Sequence, residues 1–197
     1  MLKILYAIGI WREIAVKTIG IVGSPRKNGN VDRLVQAVLD GAEEAGHEIK
    51  KYHLNEMDYS GCQGCNYCKS HEKCKLDDGL SPLLADITEA DAVVFGSPIY
   101  FYLFSGQFKL MEDRMYSFVD AGFNSRLRPG KKAVIVTSQA NPDLTAFEKA
   151  ADEFAGILKR LGFEVAEIIR MGGGGAPDAV LERKDLLEKA KATGKLL

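Results

Sequence analysis

Apolar and polar positions alternate along the chain in blocks, and the period of each block predicts an element. Residues 18–23, Thr-Ile-Gly-Ile-Val-Gly, form a short apolar run closed by Ser24 and Pro25. That pattern predicts a strand buried on both faces. From Val31, apolar residues recur at Leu34, Val35, Val38, Leu39 and Ala42. This i, i+3, i+4, i+7 spacing predicts an amphipathic helix, with Asn30 as its N-cap and Gly46 as its stop. Residues 48–54 predict a second strand. Strand, tight loop, helix and strand in that order form a βαβ unit, so the sheet is at least partly parallel.

The alternation continues to the C-terminus. Leu80, Leu83, Leu84 and Ile87 mark a helix, with Asp77 and Asp78 near its start, where the helix dipole favours them. Residues 91–96 predict a third strand, the turn 97–102 ends it, and a helix runs to about Phe118. Residues 131–138 predict a fourth strand, 144–161 a long amphipathic helix ended by Gly162, and 163–170 a fifth strand. A glycine-rich loop over 171–177 leads to a last helix from Ala179 to about Thr193. The fold class expected is α/β, a doubly wound five-stranded parallel sheet of order 2-1-3-4-5 spanning residues 18–197.

Composition adds limits. With 26 basic and 27 acidic residues the net charge is −1, so no global charge draws the chain to nucleic acid or to an anionic membrane. No stretch is long enough to span a bilayer. The apolar start, Met1 to Trp11, is followed at once by Arg12 and Glu13 and has no small-residue cleavage site. Residues 1–17 are therefore expected to form an extension, an extra strand or an arm packed on a partner subunit. The expected compartment is the cytoplasm, where clustered cysteines favour metal or redox chemistry over disulfides.

All four cysteines, Cys62, Cys65, Cys68 and Cys74, fall within thirteen residues, spaced C-x2-C-x2-C-x5-C, in a loop over 60–79. Thiolates are soft ligands suited to iron–sulfur clusters and zinc. Two successive x2 gaps put three sulfurs on one tight turn, where Gly64 relieves crowding. The compact run fits a [4Fe–4S] cluster best. Structural zinc, which usually draws on two separated pairs, disulfides, and four reduced thiols without metal are the alternatives. His71 lies in the same loop among charged residues and reads as a solvated histidine.

Ligands of such sheets bind beyond the carboxyl ends of the strands, which selects the loops 24–30, 97–102 and 138–143. The first offers Ser24, Arg26, Asn28, Gly29 and Asn30 just ahead of a helix N-terminus, an arrangement for an anion. It lacks the Gly-Lys-Ser/Thr of a nucleotide-hydrolysing P-loop and the dinucleotide fingerprint, so a mononucleotide with a terminal phosphate fits best. In the second loop Pro98, Ile99, Tyr100, Phe101 and Tyr102 form an apolar turn suited to an isoalloxazine ring. In the third, Ser138, Gln139 and Asn141 can flank that ring.

With these motifs in view, the chain resembles the flavodoxin-like NAD(P)H-dependent FMN reductases, and within them the iron–sulfur flavoproteins of anaerobic archaea and bacteria. The resemblance rests on Gly-Ser-Pro-Arg-Lys-Asn-Gly-Asn at 23–30, the cysteine run at 62–74, and Gly-Ser-Pro-Ile-Tyr at 96–100 followed by Ser105-Gly-Gln, and it covers residues 18–170 or so. It implies that Ser24, Arg26, Asn30 and the backbone N–H of Val31 hold an FMN phosphate, and that the 98–102 turn holds the isoalloxazine. It also implies that the four cysteines hold a [4Fe–4S] cluster. A homodimer or homotetramer with FMN near the subunit interface is implied as well. Val31 stands where the family usually has Thr or Ser, which removes one hydroxyl contact and leaves the N–H. The implied activity is that of a flavin-dependent oxidoreductase linked to NAD(P)H or ferredoxin. Two variants of that activity stay open: a cluster-free NAD(P)H-dependent FMN or quinone reductase, and a non-catalytic electron carrier or redox-responsive binding protein.

Overall fold

A computed structural model describes residues 16–197. Five parallel strands form the sheet: β1 (Lys17–Val22), β2 (Glu48–His53), β3 (Ala92–Tyr100), β5 (Lys131–Ser138) and β6 (Phe163–Met171). Their order is β2-β1-β3-β5-β6, and the two-residue β4 (Leu103–Phe104) pairs antiparallel with the end of β3. The expected 2-1-3-4-5 order is thus present, with a small hairpin added after the third parallel strand. The extension expected over 1–17 lies outside the described residues, apart from Val16 and from Lys17, which opens β1.

Side chains alternate across the strands, and two cores result. Ile19, Ile21, Val93, Phe95, Ala133 and Ile135 face a layer built by α3 (Ser81–Glu89), α4 (Gly106–Arg114) and α5 (Glu148–Arg160). Val22, Val94, Val134, Val136 and Ile169 face α1 (Asn30–Glu44) and α6 (Lys184–Gly194). Phe95 is fully buried and meets Phe108, Phe154 and Phe163 edge-on, with ring centroids 5.2–6.4 Å apart. Such edge-to-face contacts add to the burial of the rings themselves. No helix among the described residues is long and apolar enough to cross a membrane.

Several boundaries differ from those expected. Gly29, not Asn30, caps α1, and Asn30 is the first helical residue. Asn30 has instead been drawn into a long-range contact described below. Gly46 does end α1, with φ +89° and its N–H on the Glu43 carbonyl at 2.9 Å. β3 runs on to Tyr100 and turns back through β4, so the helix that follows starts at Gly106, capped by Ser105, and ends in a 3-10 turn over Met115–Phe118. α5 begins at Glu148 because the Asp143 carboxylate accepts from both the N–H and the hydroxyl of Thr145, holding a local turn there. The last helix is split into a 3-10 turn at Ala179–Glu182 and α6.

Gly96 sets how closely α1 lies on the sheet. A Cβ there would overlap Val35 Cγ2 and come within 2.9 Å of Val31 Cγ1. The missing side chain lets the first two turns of α1 sit down on the carboxyl end of β3. Substitution Gly96→Ala is expected to lower unfolding stability by about 1–3 kcal/mol, the usual cost of overpacking, read as a reduced denaturant midpoint at unchanged slope.

Candidate functional site

The carboxyl ends of β1, β3, β5 and β6 open on one cleft, lined by Ser24, Arg26, Asn30, Val31, Pro98, Ile99, Tyr100, Ser138, Ala140, Gly174 and Gly175. The first wall is the loop into α1. Ser24 Oγ accepts from the Arg26 N–H at 3.1 Å, and the Gly29 N–H donates to the Arg26 carbonyl at 3.2 Å. Asn28 sits at φ +54°, donates its N–H to Asp32 Oδ2 at 2.7 Å, and faces away from the cleft. Asp32 is buried, pairs with Lys51 at 2.9 Å and lies 3.6 Å from His53 Nε2. Burial pushes the His53 imidazole below its ordinary pKa, although Asp32 acts in the other direction. The loop is therefore held from behind. Among the described residues no side chain caps the N-terminus of α1, whose first residues Asn30 and Val31 line the cleft.

Arg26 is exposed, and its guanidinium Nη1 donates to the Gly175 carbonyl at 3.3 Å. Asn30 is differently employed. Its Nδ2 donates to the carbonyls of Gly174 (3.1 Å) and Ala176 (2.7 Å), and its Oδ1 accepts from the Val180 N–H at 2.9 Å. The side chain expected on a phosphate fastens the glycine-rich loop to α1.

That glycine-rich loop, read from sequence only as the lead into the last helix, forms a wall of the site. The Gly174 N–H donates to the Gln139 carbonyl at 2.8 Å, and the Gly173 N–H to the Asn141 carbonyl at 3.3 Å. A Cβ at Gly174 would overlap Ser138 Oγ. Gln139 is buried and its Nε2 holds the carbonyls of Asn141 and Asp143 at 3.1 and 2.6 Å, so it supports the third loop without lining the cleft. Gly174, Gly175 and Ala140 were missed from sequence. The available signal was four glycines placed directly after a strand whose carboxyl end lies at the same edge.

The second loop divides into two parts. Pro98, Ile99 and Tyr100 line the cleft. Phe101 and Tyr102 form the tip of the β3–β4 hairpin, at φ +46° and +72° and with 100% and 70% of their surface exposed. A two-residue turn with both φ values positive usually carries Asn-Gly. Two aromatics there hold strain, of order 1–3 kcal/mol each. At the base of the hairpin, Ser105 Oγ donates to the Gly23 carbonyl at 2.6 Å and the Ser105 N–H donates to Ser97 Oγ at 3.1 Å. These bonds tie the first and second loops together.

The four cysteines lie in the chain between β2 and α3, with the one-turn α2 (Tyr67–Ser70) among them. All are free thiols; Cys68 is buried, Cys74 half-buried, and Cys62 and Cys65 exposed. They line one concavity, together with Arg114, Tyr116 and Ser117. Among the described residues, no three His, Cys, Asp or Glu side chains are gathered closely enough to hold a single metal ion. Positive φ at Gly64 (+61°) and Asn66 (+54°) makes the tight turns between the first three thiols. His71 is exposed and stacks on Tyr67 at 3.6 Å, as expected of a surface histidine.

The loop is clasped at both ends by Arg114. Its Nη1 donates to the Ser60 carbonyl and to Asp78 Oδ2, both at 2.8 Å, and its Nη2 to the Leu76 carbonyl and Asp78 Oδ1, both at 3.3 Å. Burial works against the guanidinium charge, but pairing with Asp78, with a contribution from the neighbouring Cys74, leaves its pKa raised. Among the described residues Nε has no hydrogen-bond partner, and leaving a buried donor unsatisfied ordinarily costs about 1–3 kcal/mol. Asp78 also accepts from the Leu80 N–H at 3.1 Å, so the carboxylate expected to serve the start of α3 serves the clasp as well. Lys69 pins α2 through the Tyr116 and Val119 carbonyls at 2.9 and 2.8 Å. Tyr59, just ahead of the loop, donates to the Gln107 carbonyl at 2.6 Å, and burial pushes its pKa up to about 12.

The geometry can be set beside known proteins. The NADPH-dependent FMN reductase family matches residues 16–159. An iron–sulfur flavoprotein of Methanocaldococcus jannaschii is 34% identical over 139 residues, covering 71% of this chain and 72% of that protein. An iron–sulfur flavoprotein of Archaeoglobus fulgidus is 36% identical over 100 residues, covering 51% of this chain and 46% of that protein. In fold, the NAD(P)H:quinone oxidoreductase from Methanothermobacter marburgensis superposes with a TM-score of 0.69 at 18% identity, covering 92% of this chain and 96% of that one. The chain therefore belongs to the NADPH-dependent FMN reductase family and is a flavin-dependent oxidoreductase.

Proposed function

We propose that the protein is an FMN enzyme that exchanges electrons between FMN and a [4Fe–4S] cluster held by Cys62, Cys65, Cys68 and Cys74. The observation that carries the cluster is that all four free thiols line one concavity, together with a buried guanidinium. Thiolates carry negative charge, and fixed N–H donors of a guanidinium beside them suit an anionic, sulfur-ligated group. The iron–sulfur flavoprotein names of the curated relatives point the same way. With both groups bound, the chemistry supplied is electron transfer in one- and two-electron steps, which accommodates ferredoxin or NAD(P)H as donor.

The chain's own residues have definable tasks in this reading. Arg26 can hold a terminal phosphate by two parallel hydrogen bonds, with Ser24 and the Val31 N–H at the helix N-terminus completing the anion site. Gly29 and Asn28 give the loop its shape, and Asn30 holds the glycine wall against it. Pro98, Ile99 and Tyr100 cover the ring on one side and Ser138 on the other. Phe101 and Tyr102 extend beyond the cleft, and a second subunit of a homodimer or homotetramer would cover them.

A cluster-free NAD(P)H-dependent FMN or quinone reductase is the second reading, favoured by the exposure of Cys62 and Cys65. The two readings divide on Cys68→Ala. The cluster reading expects loss of iron and acid-labile sulfide, retention of FMN, and loss of ferredoxin-linked activity. Wild-type protein purified anaerobically with full FMN and no iron would favour the cluster-free enzyme. Separately, Arg26→Ala is expected to weaken FMN binding by about 1.5–3 kcal/mol, the worth of a charge-assisted hydrogen bond, measured by flavin fluorescence titration of the apoprotein. Unchanged affinity would remove Arg26 from the phosphate site.

A further inference from the structure

Arg114 heads the largest fully buried side chains of the described residues. Holding the cysteine loop accounts for Nη1 and Nη2, which meet Ser60, Leu76 and Asp78. It does not account for Nε. A guanidinium has five N–H donors in a rigid fork, and burying one without a partner is rare in folded proteins. This one is buried, unpartnered, and belongs to a side chain that lines the concavity of the four thiols.

We propose that Arg114 Nε–H donates a hydrogen bond to a sulfur of the cluster or of its cysteine ligands, and that this guanidinium raises the cluster's reduction potential. The inference rests on the cluster reading above. Adding an electron makes the sulfurs more negative, so a donor fixed beside them favours the reduced state. Asp78 compensates the guanidinium charge at 2.8 Å, which leaves the directed N–H as the main lever. Arg114 sits at the C-terminal end of α4 and is held by bonds to the chain on both sides of the cysteine run, so the donor has little freedom to turn away.

The test uses FMN-loaded protein purified anaerobically. Iron and sulfide are assayed, and the potentials are read by redox titration with electron paramagnetic resonance. Arg114→Lys keeps the positive charge and removes the forked Nε–H. At wild-type iron content its cluster potential is expected to fall, with the flavin potential unmoved. A residue that only clasps the loop would change iron content and leave the potential of the remaining clusters where it was. As a measurement that needs no variant, wild-type protein carrying 15N-arginine is reduced and examined for coupling of the cluster's electron spin to an arginine nitrogen, which is expected to be present. An unshifted potential in Arg114→Lys, or no such coupling in the wild type, overturns the inference and leaves the cluster standing. Wild-type protein lacking iron and sulfide overturns the cluster reading and this inference with it.

Discussion

The ion pair between Arg114 and Asp78 closes the cysteine loop onto the body of the protein, and much of the site's order depends on it. Four hydrogen bonds from one guanidinium join residues that precede the first cysteine to residues that follow the last. A pair with one partner buried and the other partly buried gives little net stability, because desolvation offsets the attraction. Its value is positional, since removing either partner leaves a charge without compensation. The helix that carries Arg114 begins at Ser105, whose hydroxyl holds the carbonyl of Gly23 in the first loop. α4 is thus anchored at one end to the candidate flavin cleft and at the other to the thiols. The anchors are nine positions apart, about 14 Å of helix at 1.5 Å per residue.

This arrangement explains why the two candidate cofactor sites are distinct in sequence and yet share one scaffold. The flavin cleft is made by strand ends and is rigid by inheritance from the sheet. The cysteine loop has little regular structure of its own, and Tyr59, Lys69, Arg114 and Asp78 hold it to α4 and the turn that follows.

The fold was legible because strands buried on both faces read as continuous apolar runs, and because right-handed βαβ connections leave few possible orders. The polar loop over 24–30 and the cysteine run stood out as local spacings. What escaped was non-local or contrary to propensity. The Phe101-Tyr102 turn places aromatics where glycine or asparagine is usual, so nothing in the sequence announced a hairpin. Asn30 looked like a cap and became a long-range clamp on Gly174, Ala176 and Val180. Arg114 reads as a surface residue by type, although it continues the spacing of Phe108 and Met111 on the buried stripe of α4.

The central claim is that flavin and cluster occupy one chain. An anaerobic visible spectrum of the purified protein, recorded during stepwise reduction, tests it most directly. The account predicts a broad iron–sulfur absorbance beneath the flavin bands, with the two bleaching at different potentials. A spectrum accounted for by FMN alone, bleaching in a single process and leaving no residual absorbance change, would contradict it.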